Sequence, residues 1–329
     1  MRSLLYALKV LFIVLLTLIL LLSATLIFLP MAERKPSETL TAEPWMSSLS
    51  DNVSLGSLVI PGAHDAAASQ AKLAFFSRCQ YYGIYDLLQT GIRYLDIRLA
   101  VASPDSMYLC HGFCECRTGP FFWSETLTLD SVLEDCYRFL RENPSETILF
   151  AVKQEYGDET VAEFESCLDK ILSGNEDAWL LTDRIPTLGE ARGKLVLLRR
   201  YSDDASLGLR SGIDLRWEKQ NGYSDPSLSA ARETPAEESY LIQDRYEYTV
   251  EEKWAAFLAA DEQFSSEASA LINFLSTKGH ISQDHPYRFA SSLNRTLSDY
   301  LSEGNDLQGW IILDFASRDL VRQVYSLNR

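Results

Sequence analysis

Apolar runs of strand length alternate with amphipathic stretches along most of the chain. Two of the amphipathic stretches have helical spacing: residues 127–144, which stop at Asn143-Pro144, and residues 159–174, which end in a glycine. Alternation of this kind is typical of a parallel sheet wrapped by helices. We therefore expect an α/β fold, a distorted (β/α)8 barrel of the TIM type, because some connections are short or irregular. Eight apolar segments predict its strands: 57–61, 93–98, 107–110, 147–153, 194–200, 239–244, 270–275 and 309–315.

The N-terminus has a different pattern. Twenty uncharged residues run from Val10 to Leu29, enough to cross a hydrocarbon core of about 30 Å. The apolar region of a cleavable signal peptide is shorter, and no convincing cleavage site follows. We predict a transmembrane signal anchor over residues 1–30, a polar linker over 31–44 and a barrel domain over 45–329. The domain is expected to be membrane-anchored and extracytoplasmic, with secretion after cleavage as the alternative.

Composition restricts the partners. The chain is 47% hydrophobic and 23% charged, so it can bury a full core. Its formal net charge of −16 argues against nucleic acid, because phosphate contacts need clustered Lys and Arg. The same charge should repel the body from an anionic membrane unless something holds it there.

Six cysteines in an extracytoplasmic body permit disulfides, but the sequence does not give their pairing. A bridge from Cys79 to Cys114 or Cys116 is one open alternative. Cys136 and Cys167 lie on the two predicted helices, where buried apolar packing is expected. The segment CHGFCEC lacks the second pair of ligands that a zinc site requires.

Charged and imidazole side chains lie near the ends of three predicted strands. LVIPGAHDA (58–66) ends in His64 and Asp65, RYLDIRL (93–99) contains Asp96 and Arg98, and MYLCHG (107–112) contains His111. Only four histidines occur in 329 residues, and two of them lie at such strand ends. Because the carboxyl ends of barrel strands meet at one face, these side chains are candidates for a common site.

Several segments, in this order along the chain, resemble the X domain of bacterial phosphatidylinositol-specific phospholipase C. The resemblance extends from Trp45 to the C-terminus and implies a distorted (β/α)8 barrel. The early cluster is highly specific, whereas the later segments are individually weak. The matching segments are IPGAHDA (60–66), GIRYLDIRL (91–99), HG (111–112), AVKQEY (151–156), LLRRY (197–201), IQDRYEY (242–248) and ILDF (312–315).

The resemblance implies a phosphorus–oxygen lyase. In this reaction the 2-hydroxyl of myo-inositol attacks the neighbouring phosphorus, expels diacylglycerol and leaves inositol 1,2-cyclic phosphate. By position in the motifs, His64 is the general base and His111 the general acid, tasks that suit imidazole at neutral pH. Asp314 would orient His64. Asp65 and Asp96 would support His111 and position Arg98, and the sequence leaves open which does which.

Arg98 distinguishes two branches of the family. The eukaryotic-type enzymes neutralise the phosphate with calcium and carry an asparagine where this chain has Asp65. A fixed guanidinium can place paired donors on phosphate oxygens and so replace the metal. We therefore expect catalysis without a metal or another cofactor.

The resemblance also implies an inositol pocket at Lys153, Arg200 (or its neighbour Arg199), Asp244 and Tyr246. Each has a simpler structural alternative. The two arginines could be half solvated, Asp244 could form a surface pair with Arg245, and Tyr246 could belong to the core.

The expected partner is phosphatidylinositol in a bilayer surface, with the protein held there by its N-terminal helix. Aromatic and apolar residues near two strand ends could insert into the bilayer, although for most of them packing beneath the loops is the expected arrangement. The connection 201–238 is expected at the rim of the active site. His280 and His285, near Asp284, are expected to be solvated side chains rather than metal ligands. The rim candidates are Leu73, Phe75, Phe76, Tyr81, Tyr82, Phe121, Phe122 and Trp123.

Two other functions fit the same motifs. One is a related phosphodiesterase that acts on another head group or on glycosyl-phosphatidylinositol anchors. The other is a non-catalytic module that binds inositol lipid. Binding alone needs no acid–base pair, so the two histidines favour an enzyme.

Overall fold

A curled sheet of twelve strands forms the centre of the computed structural model. The structure describes residues 2–328 except 33–35, 37–38, 122, 210–211, 218–219, 221–229, 234–237, 265–267 and 281–283. The strands are β1 Ile60–Ala63, β2 Tyr94–Ser103, β3 Ser106–His111, β4 Cys114–Glu115, β5 Ile148–Gln154, β6 Trp179–Leu180, β7 Leu195–Arg199, β8 Ile213–Asp214, β9 Ala230–Glu233, β10 Ser239–Gln243, β11 Ala270–Phe274 and β12 Trp310–Leu313. The helices are α1 Arg2–Ala32, α2 Ala74–Ser77, α3 Ile84–Thr90, α4 Leu129–Glu142, α5 Val161–Leu172, α6 Leu188–Ala191, α7 Val250–Gln263, α8 Pro286–Ser302 and α9 Arg318–Tyr325.

The strand order is β6-β7-β5-β2-β1-β12-β11-β10-β9. All neighbours from β6 to β10 are parallel, and only β9 joins this path antiparallel, at its edge. The short strand β8 extends the other edge, parallel to β7. Within the described residues no strand pairing joins β8 to β9 or β10, so the sheet is a curled half-barrel. The predicted α/β fold of the TIM type is confirmed, with its distortion concentrated at this opening.

Two predicted strands differ from the observed ones. The segment 57–61 begins inside a 3-10 turn, Leu55–Ser57, and its strand starts only at Ile60. The segment 107–110 is not a barrel strand, because β3 folds back antiparallel on β2 with Leu99 opposite Leu109. Strand β2 continues to Ser103 and so provides the extra length on which β3 pairs.

The two predicted helices are confirmed as α4 and α5. Thr128 caps α4 by accepting a hydrogen bond from the Ser131 amide, and the helix ends before Asn143. A capping box of Thr160 and Glu163 begins α5. Cys136 on α4 and Cys167 on α5 are buried in the core, as expected. All six cysteines are free, so the bridge considered from Cys79 is not formed.

Strand residues alternate between two apolar layers. In β12, Trp310 and Ile312 point into the curl of the sheet, whereas Ile311 and Leu313 pack towards the helices. Because both faces of the parallel strands are covered, their sequences read as nearly continuous apolar runs. Those runs made the strands recognisable from the sequence.

A buried ion pair lies at the amino ends of β2 and β5. Arg93 precedes β2, and its Nη2 lies 2.8 Å from Oε2 of Glu146, with neither side chain exposed to solvent. The guanidinium also lies 4.5 Å from the centroid of the Phe139 ring. This pair fixes the end of the barrel opposite to the strand ends that carry the candidate site.

We expect Glu146→Gln to lower the free energy of unfolding by about 3–5 kcal/mol, because it leaves the Arg93 charge buried and unpaired. Urea unfolding followed by circular dichroism measures the loss. The double variant Arg93→Met with Glu146→Leu removes both charges and should lose less stability than Glu146→Gln. An equal or larger loss of stability in the double variant would contradict the claim that the unpaired Arg93 charge causes the loss in Glu146→Gln.

Helix α1 contains a stretch, Leu4–Ala24, that is long and apolar enough to cross a membrane, and none of it is buried against the rest of the protein. A signal sequence near the N-terminus can also satisfy this criterion of length and composition. The predicted N-terminal apolar helix is thus present.

Candidate active site

A cavity of about 600 Å³ opens at the carboxyl ends of the parallel strands. Asp65 and Asp96 are buried at 1% and 0% exposure beneath its floor. The cavity lining includes eight of the ten site residues predicted from the sequence: His64, Arg98, His111, Lys153, Arg200, Asp244, Tyr246 and Asp314.

His64 and Asp314 are neighbours because they follow adjacent parallel strands, β1 and β12. The His64 Nδ1 lies 2.8 Å from Oδ1 of Asp314, a distance at which the ring donates its proton to the carboxylate. Burial disfavours the charged imidazole, but the Asp314 carboxylate outweighs it and raises the pKa of His64 above its ordinary value. The predicted partnership of these two side chains is therefore present as a contact.

Arg98 lies in β2 and is held by three acidic side chains. Its Nε donates to Asp96 at 3.1 Å, its Nη1 donates to Glu155 at 3.1 Å, and the same Nη1 lies 3.4 Å from Asp65. Its Nη2 lies 2.7 Å from Nε2 of His64, where it donates to the ring nitrogen that Asp314 leaves unprotonated. The guanidinium is thereby fixed in direct contact with one of the two histidines.

His111 lies at the end of β3 in the β2–β3 hairpin and lines the same cavity as His64 and Arg98. Because β2 extends past the sheet and β3 returns along it, the end of β3 comes back to the cavity. The His111 ring lies edge-on to the His64 ring, with centroids 6.3 Å apart and an interplanar angle of 84°. Its Nδ1 donates to the Ser77 carbonyl at 2.9 Å. The two imidazoles and the guanidinium of Arg98 thus border one part of the cavity.

The sequence left open which of Asp65 and Asp96 contacts His111 and which contacts Arg98, and the structure gives the two carboxylates different neighbours. Asp65 has an oxygen 3.5 Å from Nδ1 of His111. Asp96 faces the arginines, accepting from Arg98 and, at 2.6 Å, from Nη1 of Arg200. Burial raises the pKa of Asp65, whereas the two guanidiniums outweigh burial at Asp96 and hold its pKa well below the ordinary range. Asp65 is therefore the neighbour of His111, and Asp96 positions Arg98.

The pocket beyond Arg98 contains the other predicted residues. Arg200 stacks on the Trp217 indole, with Cζ 3.8 Å from the ring centroid, and the Trp217 Nε1 donates to Asp244 at 3.1 Å. Asp244 thus faces the cavity rather than forming a surface pair with Arg245. Tyr246 also lines the cavity, so its packing in the core is excluded.

Of the two adjacent arginines, only Arg200 faces the cavity. Arg199 points to the other side of the strand, where its Nη1 lies 2.7 Å from Asp203 and its Nη2 lies 3.3 Å from Asp214. The choice between them follows from the alternation of side chains at the end of β7.

Two of the cavity residues that contact the predicted site, Glu155 and Trp217, were missed from the sequence. Glu155 accepts from Arg98 and from Nζ of Lys153, the latter at 2.5 Å, and both cations outweigh burial to lower its pKa. It lies two residues after Lys153 in the AVKQEY segment, so strand periodicity could have identified it. Trp217 lies in the irregular connection 201–238, which carries no such pattern; this connection reaches the cavity through Trp217, while its residues Gly222 and Pro226 lie outside the described residues.

Among the residues that the structure describes, two groups of side chains are close enough to be considered as metal ligands: His64, Cys79 and Asp314, and Asp65, Cys79 and His111. Burial raises the pKa of Cys79 well above its ordinary value, which disfavours the thiolate that binds metals. Neither group provides the six to eight oxygen ligands that Ca²⁺ takes. The donors therefore fit a calcium ion poorly.

The apolar rim differs from the expectation that most of its residues pack beneath loops. Leu73, Phe76, Phe121 and Trp123 are exposed, by 40% to 66%, and so is Phe113, which was not predicted. The expected packing is confirmed for three residues: Tyr82 is buried, Tyr81 contacts Phe315, and Phe75 contacts His285. Phe122 lies outside the described residues.

The remaining histidines lie away from the two imidazoles of the site. His285 is 2% exposed and caps α8, so the expectation that it is solvated is wrong. His280 is partly exposed and forms an ion pair with Glu252.

The fold and its strand-end site define an α/β half-barrel protein with paired imidazoles beside a fixed guanidinium. Residues 60–201 match the family model described as phosphatidylinositol-specific phospholipase C, X domain. The 1-phosphatidylinositol phosphodiesterase of Listeria monocytogenes is 25% identical over 307 residues, which cover 88% of this chain and 86% of that protein. The protein of the same name from Staphylococcus aureus strain Newman is 24% identical, over 89% of this chain and 97% of its own.

Solved structures show the same fold. The phosphatidylinositol-specific phospholipase C from Listeria monocytogenes superposes with a TM-score of 0.64 at 24% identity, covering 87% of this chain and 98% of its own. A pentafluoro-Phe form of the Staphylococcus aureus enzyme gives 0.70 at 22% identity, covering 87% and 98%. Residues 60–201 thus match the X-domain model, and over most of its length the chain is similar in sequence and fold to bacterial phosphatidylinositol-specific phospholipases C, as the sequence motifs indicated.

Proposed function

We propose that this protein is a membrane-tethered phosphatidylinositol diacylglycerol-lyase. It cleaves phosphatidylinositol to diacylglycerol and inositol 1,2-cyclic phosphate without a metal. The observation that supports the proposal is the convergence of His64, His111 and Arg98 on one cavity, with a carboxylate close to each of the three side chains.

His64 acts as the general base through Nε2. Asp314 keeps the proton on Nδ1, so the lone pair of Nε2 is directed towards Arg98 and the cavity. When a phosphoryl oxygen of the substrate takes over the Arg98 Nη2 donor and the 2-hydroxyl of inositol replaces it at Nε2, the hydroxyl proton passes to Nε2 as the hydroxyl oxygen attacks phosphorus. Asp314 then stabilises the imidazolium, in the way that a triad carboxylate does.

His111 acts as the general acid. In the acid form of the ring, Nδ1 donates to the Ser77 carbonyl beside the Asp65 carboxylate, and Nε2 carries the proton given to the departing diacylglycerol oxygen. Within the described residues no hydrogen bond engages that nitrogen, which leaves it free for the substrate. Proton transfer at this position completes the cyclisation.

Arg98 stabilises the charge that develops on the phosphoryl oxygens. Asp96 and Glu155 hold its donors before the substrate arrives, so little reorganisation is needed during the reaction. A guanidinium fixed in this way supplies the positive charge that a calcium ion would provide. We therefore expect the same turnover in the presence of EDTA as in its absence.

The inositol ring binds beyond Arg98. Asp244 and Lys153 supply an acceptor and a donor for ring hydroxyls, Tyr246 lines the same wall, and the stacked pair of Arg200 and Trp217 provides a flat polar face. Such paired donors and acceptors discriminate strongly against head groups that lack the hydroxyls.

We expect Arg200→Met to lower kcat/KM for phosphatidylinositol by about tenfold to a hundredfold, because it removes a charged hydrogen bond to Asp96 and the stacked face of the pocket. The matched control is Arg199→Met, which removes an equivalent arginine one residue away on the other side of the strand. The control should change stability rather than kcat/KM. Similar kinetic losses in both variants would contradict the assignment of Arg200 to the pocket.

The bilayer is the expected partner. The apolar stretch Leu4–Ala24 of α1 supports a membrane anchor with the barrel outside the cytoplasm, and secretion after cleavage is the alternative. Phe113, which lines the cavity, and Trp123 are exposed apolar side chains that can enter the lipid interface.

A panel of lipids tests the substrate. We expect release of the head group from phosphatidylinositol and none from phosphatidylcholine in vesicles of otherwise equal composition. Activity on phosphatidylcholine or on a glycosyl-phosphatidylinositol-anchored protein, without activity on phosphatidylinositol, would instead support a related phosphodiesterase. Vesicle binding without turnover of any lipid would support a non-catalytic inositol-lipid-binding module.

A further inference from the structure

The segment 39–45, which precedes the barrel, packs on helix α9 at the end of the chain. Leu40 and Ala42 contact the core from its surface. Trp45 stacks on Tyr325 with parallel rings whose centroids are 5.3 Å apart, and its Nε1 donates to the Gly91 carbonyl at 2.9 Å. The predicted polar linker over residues 31–44 is thus attached to the domain along part of its length.

Glu43 is the centre of this attachment. Its carboxylate accepts hydrogen bonds from Arg318, Arg322 and the Tyr325 hydroxyl, all on α9. Its carbonyl accepts from Nη2 of Arg93 at 3.1 Å. Burial is outweighed by these donors, which lower the pKa of Glu43 to about 2, so the carboxylate stays charged at neutral pH. We call Glu43 with Arg318, Arg322 and Tyr325 the Glu43 clamp.

The path of the segment along the barrel follows from its contacts. Gly91 and Arg93 precede β2, so Trp45 and Glu43 lie near the amino ends of the strands, away from the cavity. Arg318 begins α9 four residues after Asp314, and its Nη1 donates to the Thr39 carbonyl at 3.1 Å. From Trp45 back to Thr39, the chain therefore runs towards the cavity end of the barrel.

Helix α1 supports the same direction. Its Cα atoms approach those of α2 within 8 Å. Helix α2 borders the cavity, because Phe76 and Ser77 line it and the Ser77 carbonyl binds His111. The apolar helix and the near end of the linker therefore lie on the side of the barrel where the cavity opens.

We propose that the Glu43 clamp orients the enzyme, so that its cavity faces the bilayer in which α1 is embedded and takes lipid from that same membrane. A free linker over residues 31–44 could extend to about 46–50 Å and would let the barrel rotate. With residues 39–45 fixed, only residues 33–38 remain between the helix and the clamp, and they span at most about 20 Å. This inference rests on the proposed function, since it assumes an anchored lyase.

Orientation also offsets electrostatic repulsion. The chain has a formal net charge of −16, and a phosphatidylinositol surface is itself anionic. This repulsion would tend to move a loosely tethered barrel away from that surface. When the cavity opening is held facing the bilayer, exposed apolar residues such as Leu73 and Phe76 stay against the lipid interface.

The rate test uses the full chain reconstituted in vesicles that contain phosphatidylinositol, together with a soluble short-chain phosphatidylinositol assayed in detergent-free buffer. We expect Glu43→Gln to lower turnover of phosphatidylinositol in the vesicle that holds the protein (the host vesicle) by about tenfold, because the effective concentration of lipid at the cavity opening falls. Turnover of the soluble substrate should change less than about twofold. The control Glu190→Gln removes a carboxylate paired with Arg184 on another face and should change neither rate.

A second variant covers the case in which Glu43→Gln does not fold. Six Gly and Ser residues inserted between residues 38 and 39 lengthen the chain outside the clamp and leave its contacts in place. This insertion should lower the rate on the host vesicle in the same way as Glu43→Gln. Unchanged host-vesicle rates in both variants would overturn the proposal.

Fluorescence measures the orientation itself. All six native cysteines are buried, so a dye can be placed selectively at Phe113→Cys beside the cavity or at Ser47→Cys near the opposite end. A quencher in the lipid should quench the dye at position 113 and not the dye at position 47. Glu43→Gln should reduce the difference in quenching between the two dyes. Equal quenching of both dyes in the otherwise unchanged protein would refute the orientation. No turnover of the soluble substrate would instead refute the lyase, whatever the quenching.

Discussion

Arg98→Lys is expected to lower kcat on phosphatidylinositol by about 10²–10³-fold, the loss observed when one preorganised donor to a developing oxyanion is removed. Lysine keeps the positive charge but cannot reach Asp96, Glu155 and a phosphoryl oxygen together, as the planar guanidinium does. Kinetics with a soluble short-chain substrate measure the loss apart from binding to the membrane.

A matched control separates this effect from a general loss of charge. Arg117→Lys changes an arginine that pairs with Glu115 outside the cavity lining, and it should leave kcat unchanged. Calcium added to Arg98→Lys should not restore activity, because the surrounding groups fit calcium poorly. A near-normal kcat in Arg98→Lys would show that catalysis does not require the guanidinium.

His64→Gln is expected to lower kcat/KM by about 10²–10⁴-fold, the usual contribution of a general base. Asp314→Asn should lower it less and should also change its pH dependence. Asp314 raises the pKa of His64, and the base works only when it is unprotonated, so activity falls as the pH drops through that raised pKa. Without the carboxylate the pKa of His64 falls, and the acid limb of the profile moves to lower pH.

The pH dependence of kcat/KM for Asp314→Asn on soluble substrate measures this shift. The maximum should fall together with the shift, because the imidazolium formed in the transition state loses its stabilising charge. An acid limb that stays at the same pH in Asp314→Asn would show that another group titrates there.

The parallel strands and most of the site were predictable from the sequence for one physical reason. Strands covered on both faces read as apolar runs, and the residues that follow them meet at one edge of the sheet. His64 and Asp314, 250 residues apart, could thus be paired before any coordinates were known. The pairing required strand order as well, and that came from the resemblance to a family rather than from periodicity.

Other features depend on register and could not be read from the chain. The apolar run at 107–110 has the composition of a barrel strand, and only its antiparallel pairing to the end of β2 makes it part of a hairpin. The distinct environments of Asp65 and Asp96 follow from the placement of Arg200 and His111 in space. Trp217 lies in a connection without periodic pattern, so its stacking on Arg200 had no signal in the sequence.

Phosphorus NMR of the products formed from phosphatidylinositol vesicles, with EDTA present, tests the convergence of His64, Arg98 and His111 most directly. We predict the resonance of inositol 1,2-cyclic phosphate from the unchanged protein and its absence from His64→Gln and His111→Gln. Only acyclic inositol phosphate, a signal that needs added calcium, or full activity in either histidine variant would contradict the account.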